Sequence, residues 1–84
     1  MSREVEGRLK MRLMKEIRLA ILEDMHEHGD GTRMELWERC TMDVPWEPFK
    51  RILSGLLVTG LVTKHGPHIA LSDRGIEYVQ QLES

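Results

Sequence analysis

Residues 49–62 read Phe49-Lys50-Arg51-Ile52-Leu53-Ser54-Gly55-Leu56-Leu57-Val58-Thr59-Gly60-Leu61-Val62, and the periodicity changes at the end of the stretch. Phe49, Ile52, Leu53, Leu56 and Leu57 recur at three- and four-residue spacing, which puts them on one face of a helix. Gly60 stands where such a helix stops, because glycine takes the left-handed conformation of a C-terminal cap without a Cβ penalty. Beyond it, Leu61-Val62-Thr63-Lys64 and His68-Ile69-Ala70-Leu71 read as short strands, with His65-Gly66-Pro67 as the turn between them. The central expectation is therefore a helix that runs straight into a β-hairpin.

Working outward, Pro45 suits a first helical position, since its missing N–H is not needed there, so this helix begins between Val44 and Glu47. Thr41 to Val44 is the turn before it. Thr32-Arg33-Met34-Glu35 is a capping-box pattern, and it opens a short helix over 33–40 whose apolar residues are Met34, Leu36, Trp37 and Cys40. Residues 2–28 read as one long helix, stopped by Gly29 and Gly31. Ile17, Ala20, Ile21 and Met25 form its core stripe; Val5, Leu9 and Leu13 form a second, slightly rotated stripe. A helix of that length reaches about 39 Å, more than so small a core covers, so its N-terminal half needs another surface. Downstream, Ser72 caps a last helix with Asp73 in its first turn, where the macrodipole favours an anion. Ile76, Val79 and Leu82 are its buried stripe, with Tyr78 to one side. The expected class is α+β, a single domain over 1–84 with 1–14 as a helical extension, and an optional third strand lies in the 29–32 region. The expected core contains Ile17, Ile21, Met25, Leu36, Phe49, Leu53, Leu56, Leu57, Leu61, Ile69, Leu71, Ile76 and Val79.

The chain has 84 residues, 40% hydrophobic and 31% charged, a globular balance. A domain of this size buries only about 60% of its unfolded surface, which makes a partner useful. No segment is apolar enough to span a bilayer, and no apolar h-region follows the basic N-terminus. One cysteine, Cys40, makes no internal disulfide, so the expected compartment is the reducing cytoplasm. The formal charge is −2, unevenly spread: residues 1–18 carry six basic and three acidic side chains, and residues 19–48 carry two basic and eight acidic ones. Such asymmetry can place cations on phosphates despite a neutral total, and it also describes ordinary solvated helix faces.

Two stretches carry a family resemblance. Residues 49–62, a leucine-rich helix running into Gly60-Leu61-Val62, resemble the recognition-helix ending of winged helix–turn–helix domains. Ile69-Ala70-Leu71-Ser72-Asp73-Arg74-Gly75-Ile76-Glu77-Tyr78-Val79 resembles the second half of that fold. Thr32-Arg33-Met34 with Trp37 is similar to the second-helix opening of small archaeal or archaeal-virus transcriptional regulators in the group. The resemblance covers roughly residues 15–84 and implies three helices, a β-hairpin wing and a C-terminal helix, here with an extended N-terminal helix. Pro45-Trp46-Glu47-Pro48 departs from the more polar helix opening of many relatives. The last helix ends too soon for the long coiled coil by which some relatives dimerise, while the first is unusually long.

The implied function is a sequence-specific double-stranded-DNA-binding regulator of transcription, acting as a homodimer. In a helix–turn–helix the second helix of the pair enters the major groove, and only its outer face reaches bases. Glu47, Lys50, Arg51 and Ser54 lie opposite or flanking the apolar face: Lys50 or Arg51 suits guanine, Glu47 suits cytosine N4, and Ser54 suits a base or a phosphate. Trp46, nearer the apolar edge, is a core or lid residue or a further DNA contact. On the wing, Lys64 adds a phosphate contact, and His65 and His68 add charge only below about pH 6.5. Plain solvation of the helix and a bland surface turn are the competing readings of these residues. Val5, Leu9, Leu13 and Met14 are the expected dimer contacts.

An enzyme is not expected, because the chain lacks a phosphate-binding glycine loop, a nucleophile elbow and an HExxH pair. Cys40 reads as a small buried hydrophobe and the methionines as core filler. His26 and His28, two apart on a helix, point different ways, so no metal, cofactor or small-molecule ligand is expected. The alternative function is a winged-helix protein-interaction module that does not bind nucleic acid, favoured by the acidic 19–48 region.

Overall fold

The computed structural model describes the backbone of residues 3–40 and 42–83, and side chains within residues 14–40 and 42–82. The elements are α1 (Arg3–His28), β1 (Gly31–Thr32), α2 (Arg33–Arg39), α3 (Trp46–Thr59), β2 (Val62–His65), β3 (His68–Leu71) and α4 (Asp73–Glu83). They form an α+β structure in which four helices accompany an antiparallel sheet of order β1-β3-β2.

Each boundary has a local cause. Gly29 ends α1 at φ 90°, and its N–H donates to the Met25 carbonyl at 2.8 Å. The capping box of α2 is complete: the Glu35 N–H donates to Thr32 Oγ1 at 3.2 Å and the Thr32 N–H to Glu35 Oε1 at 3.1 Å. α3 starts at Trp46, within the expected Val44–Glu47 range, and Pro45 is its N-cap with ψ 152° rather than its first helical residue. Its carbonyl accepts the Phe49 N–H at 3.1 Å. Gly60 closes α3 at φ 81°. The hairpin pairs Val62 with Leu71 and His65 with His68, one residue later on β2 than the sequence pattern indicates. The optional strand exists as β1, which pairs Gly31 with Ile69 and Thr32 with His68.

Ser72 joins the two halves. Its Oγ donates to the Gly60 carbonyl at 2.6 Å and accepts the Gly75 N–H at 3.0 Å, while its own N–H donates to the Leu61 carbonyl at 3.1 Å. One side chain thus caps α4 and fixes it to the end of α3. Arg39 does the same for α2 and α1: its Nη2 lies 2.8 Å from Asp24 Oδ2 and donates to the Gly29 carbonyl at 2.9 Å.

The core gathers Ile17, Ile21, Leu22 and Met25 of α1, Leu36 of α2, Phe49, Ile52, Leu53 and Leu56 of α3, Val62, Ile69 and Val79, with Val44 from the turn. Leu22, Val44, Ile52 and Val62 were absent from the expected core, whereas Leu57, Leu61, Leu71 and Ile76 are only half-buried. Leu82, expected on the buried stripe of α4, is 49% exposed, because α4 outruns the surface beneath it. Met14 and Met34 are exposed, so the methionines are not uniformly core filler. Cys40 is half-buried at the C-cap of α2 rather than buried within a helix. Among the described residues no helix is long and apolar enough to cross a membrane.

Candidate functional site

α3 has one buried face and one exposed face. Its inner face, Phe49, Ile52, Leu53 and Leu56, is buried. At about 100° per residue, Glu47, Arg51, Ser54 and Val58 fall within about 30° of the opposite direction. All four are exposed, and Val58 is 87% exposed. The stripe runs from the first turn of α3 to its last, over about 16 Å of helix.

Lys50 leaves this stripe. It is half-buried on the flank of α3, its Nζ 3.2 Å from Glu47 Oε1 and 5.6 Å from the centre of the Trp46 ring. The cation therefore covers an indole face and neutralises a neighbour, so of the two basic residues on α3 only Arg51 points fully outward. Trp46 belongs to an aromatic group: its ring lies 5.2 Å from Trp37 at 60° and 6.3 Å from Phe49 at 16°. Trp37 Nε1 donates to the Val44 carbonyl at 2.7 Å. These contacts fix the turn between α2 and α3, which gives Trp46 a positioning part while its edge stays half-exposed.

The hairpin is formed by β2 and β3 around Gly66 and Pro67. Lys64 is exposed on β2. His65 Nε2 and Thr63 Oγ1 lie 3.1 Å apart, and His68 Nδ1 is 3.9 Å from Asp30 Oδ2. The two histidines are cross-strand neighbours at the turn. Among the described residues no three His, Cys, Asp or Glu side chains come together as a metal-holding group.

Met14, 43% exposed on α1, is the only expected dimer residue whose side chain is described; Val5, Leu9 and Leu13 lie outside those residues. Val58 was missed by the sequence reading. Leucine-rich helices with one more apolar residue offer no signal that it faces out, except its phase against Phe49. One titration is displaced at the surface: the Thr32 N–H bond, then the Thr32 hydroxyl, holds the Glu35 carboxyl below its ordinary value.

Comparison with family models, with curated proteins and with solved structures finds no match.

Proposed function

We propose that this chain is a sequence-specific double-stranded-DNA-binding regulator of transcription with a winged helix–turn–helix layout, acting as a homodimer. The observation that carries the reading is the fully outward stripe of α3, opposite a face buried without exception and followed directly by a hairpin. In this reading α3 lies in the major groove, which admits one helix. Arg51 takes guanine O6 and N7 in a bidentate pair, Ser54 takes a base or a phosphate, and Glu47 accepts from cytosine N4 when it leaves Lys50. Lys50 acts through Trp46 and Glu47, orienting the start of the helix rather than reading bases. The hairpin places Lys64, with His65 and His68, on the sugar–phosphate backbone. Val5, Leu9, Leu13 and Met14 meet the partner's first helix, and the dimer presents two copies of α3 to two half-sites.

A second reading, a protein-interaction module without nucleic acid, is favoured by the exposed carboxylates of Glu38 and Asp43 near the turn. Selection of binding sites from random duplex DNA, followed by titration of the enriched and a scrambled duplex at about 50 mM salt, separates the two. Enrichment of a defined site, bound more tightly than its scramble, supports the regulator. No enrichment and no binding to either duplex shifts the function to a protein partner.

A further inference from the structure

A groove of about 570 Å³ opens beside the start of α3. Met14 and Ile17 of α1 form one wall, Val44 and Pro45 the floor at the turn, and Pro48 and Ile52 of α3 the other wall. Asp43 and Arg51 stand at its rim. We infer that this groove receives the N-terminal segment of α1, residues 3–13, from a second copy of the chain, so that the two first helices cross antiparallel and each fills the other's groove. The inference deepens the homodimer of the proposed function and rests on that part alone, not on DNA binding.

Three observations choose this occupant. First, the apolar positions of α1 repeat every four residues at Val5, Leu9, Leu13, Ile17 and Ile21. Among the described residues of this stripe, Ile17 and Ile21 belong to the chain's own core. The same spacing continues in the sequence toward the N-terminus as far as Val5. Antiparallel pairing about a two-fold axis at residue 11 sets Val5 against Ile17 of the second copy and Leu9 against its Leu13. An isologous contact requires that kind of self-complementarity. Second, the segment brings its own cations, Arg3, Arg8, Lys10 and Arg12. The groove's outer edge is acidic, with Asp43 on the rim and Glu38 beside it, both exposed. Third, the lining is methionine, proline and branched aliphatic, a surface that accepts a helix bearing Val and Leu without demanding hydrogen bonds.

A disulfide tests the arrangement directly. In a Cys40→Ser chain, Val5→Cys with Pro48→Cys places the two thiols in different subunits but side by side. Within one subunit, Val5 lies about 13 Å of helix before Met14 on the groove wall, whereas a disulfide needs Cα atoms within about 7 Å. Mild oxidation of the full chain should give a covalent dimer on a non-reducing gel, reversed by thiol. The same chain with Leu9→Glu and Leu13→Glu should lose that band. In sedimentation without the cysteines, the Leu9→Glu and Leu13→Glu pair should raise the dimer dissociation constant by roughly 100-fold, with an unchanged helical circular dichroism spectrum per mole confirming the fold. A dimer by sedimentation that yields no cross-link overturns the groove while leaving the homodimer standing. A chain monomeric at all concentrations overturns both, while duplex titration of that monomer still tests DNA binding separately.

Discussion

Gly75 sits buried in the first turn of α4, where the helix passes over the end of α3. A Cβ built there would fall almost on the Leu61 carbonyl oxygen, 3.0 Å from the Leu61 carbonyl carbon and 3.0 Å from Leu71 Cδ2. The obstacle is backbone, so no side-chain rotation relieves it. Gly75→Ala must instead lift α4, which strains the Ser72 bonds to the Gly60 and Leu61 carbonyls. Overpacking of this kind costs about 1–3 kcal/mol, and each weakened neutral hydrogen bond adds about 0.5–1.5 kcal/mol. Against that, alanine is about 1 kcal/mol better than glycine inside a helix. The net expectation is a loss of about 1–3 kcal/mol, large beside the total stability of a small domain. Gly55→Ala is the control. Its Cβ would meet nothing within 4 Å on α3, so the same substitution there should stabilise by about 0.5–1 kcal/mol. Urea unfolding followed by circular dichroism measures both, at one fixed protomer concentration because dimerisation contributes to stability. If Gly75→Ala matches or exceeds the wild type at unchanged m-value, α4 does not dock against Leu61 as described.

Leu53→Ala should cost about 2–5 kcal/mol in the same assay, since the side chain is buried at the centre of α3; an unchanged midpoint would show that α3 is phased differently. Arg51→Ala should weaken binding to a selected duplex by about 1–3 kcal/mol and relax preference at one base pair, whereas Lys64→Ala should weaken all duplexes alike and lower the salt slope by about 1; anisotropy titrations over a salt series would expose the opposite pattern. Glu35 has a depressed pKa in the folded chain, so its contribution is present above the unfolded value, about 4.3, and is lost as pH falls through the folded value. Glu35→Gln keeps a capping-box side chain without the titration; its urea midpoint should fall less steeply than that of the wild type below about pH 4.3, and parallel curves would deny the linkage.

The elements were legible because their stops are local chemistry. Gly29, the Thr32–Glu35 box, Gly60 and Ser72 each act within four residues of themselves, and each stands where the sequence pattern sets it. The strand β1 was legible only as an option, since two residues acquire strand character solely by pairing with β3. Burial at element edges was less legible. Leu82 and Met34 have the right spacing for a core stripe, but spacing does not say where the opposing surface ends. In the candidate site the phase of α3 fixed which residues could face outward. Lys50 holds a flanking position, which is outward or inward according to its neighbours, and here Trp46 and Glu47 draw it onto the helix side. Those neighbours are both close in sequence, yet only the indole's packing against Trp37 and Phe49 makes the ring face available.

The acidic 19–48 region stands as the main objection to a helix pair that approaches phosphates, and the side-chain partners change its weight. Asp24 is neutralised by Arg39 at 2.8 Å, and Glu47 by Lys50 at 3.2 Å. Asp30 lies 3.9 Å from His68 Nδ1, and Glu27 lies 3.9 Å from His28 Nε2. Glu35 is turned back onto the Thr32 backbone, where its charge faces the positive end of α2. Carboxylates held in this way project less field than their number implies, because each lies within a short dipole instead of standing as an isolated charge. Glu23 is exposed on α1, and Glu38 and Asp43 stand together beside the turn and the groove. If the second copy's Arg8, Lys10 and Arg12 settle there, dimer formation would cancel the most repulsive patch next to α3. Dimerisation and DNA binding would then be linked through charge as well as through geometry, and a charge reversal at Asp43 should weaken the dimer while sparing the fold.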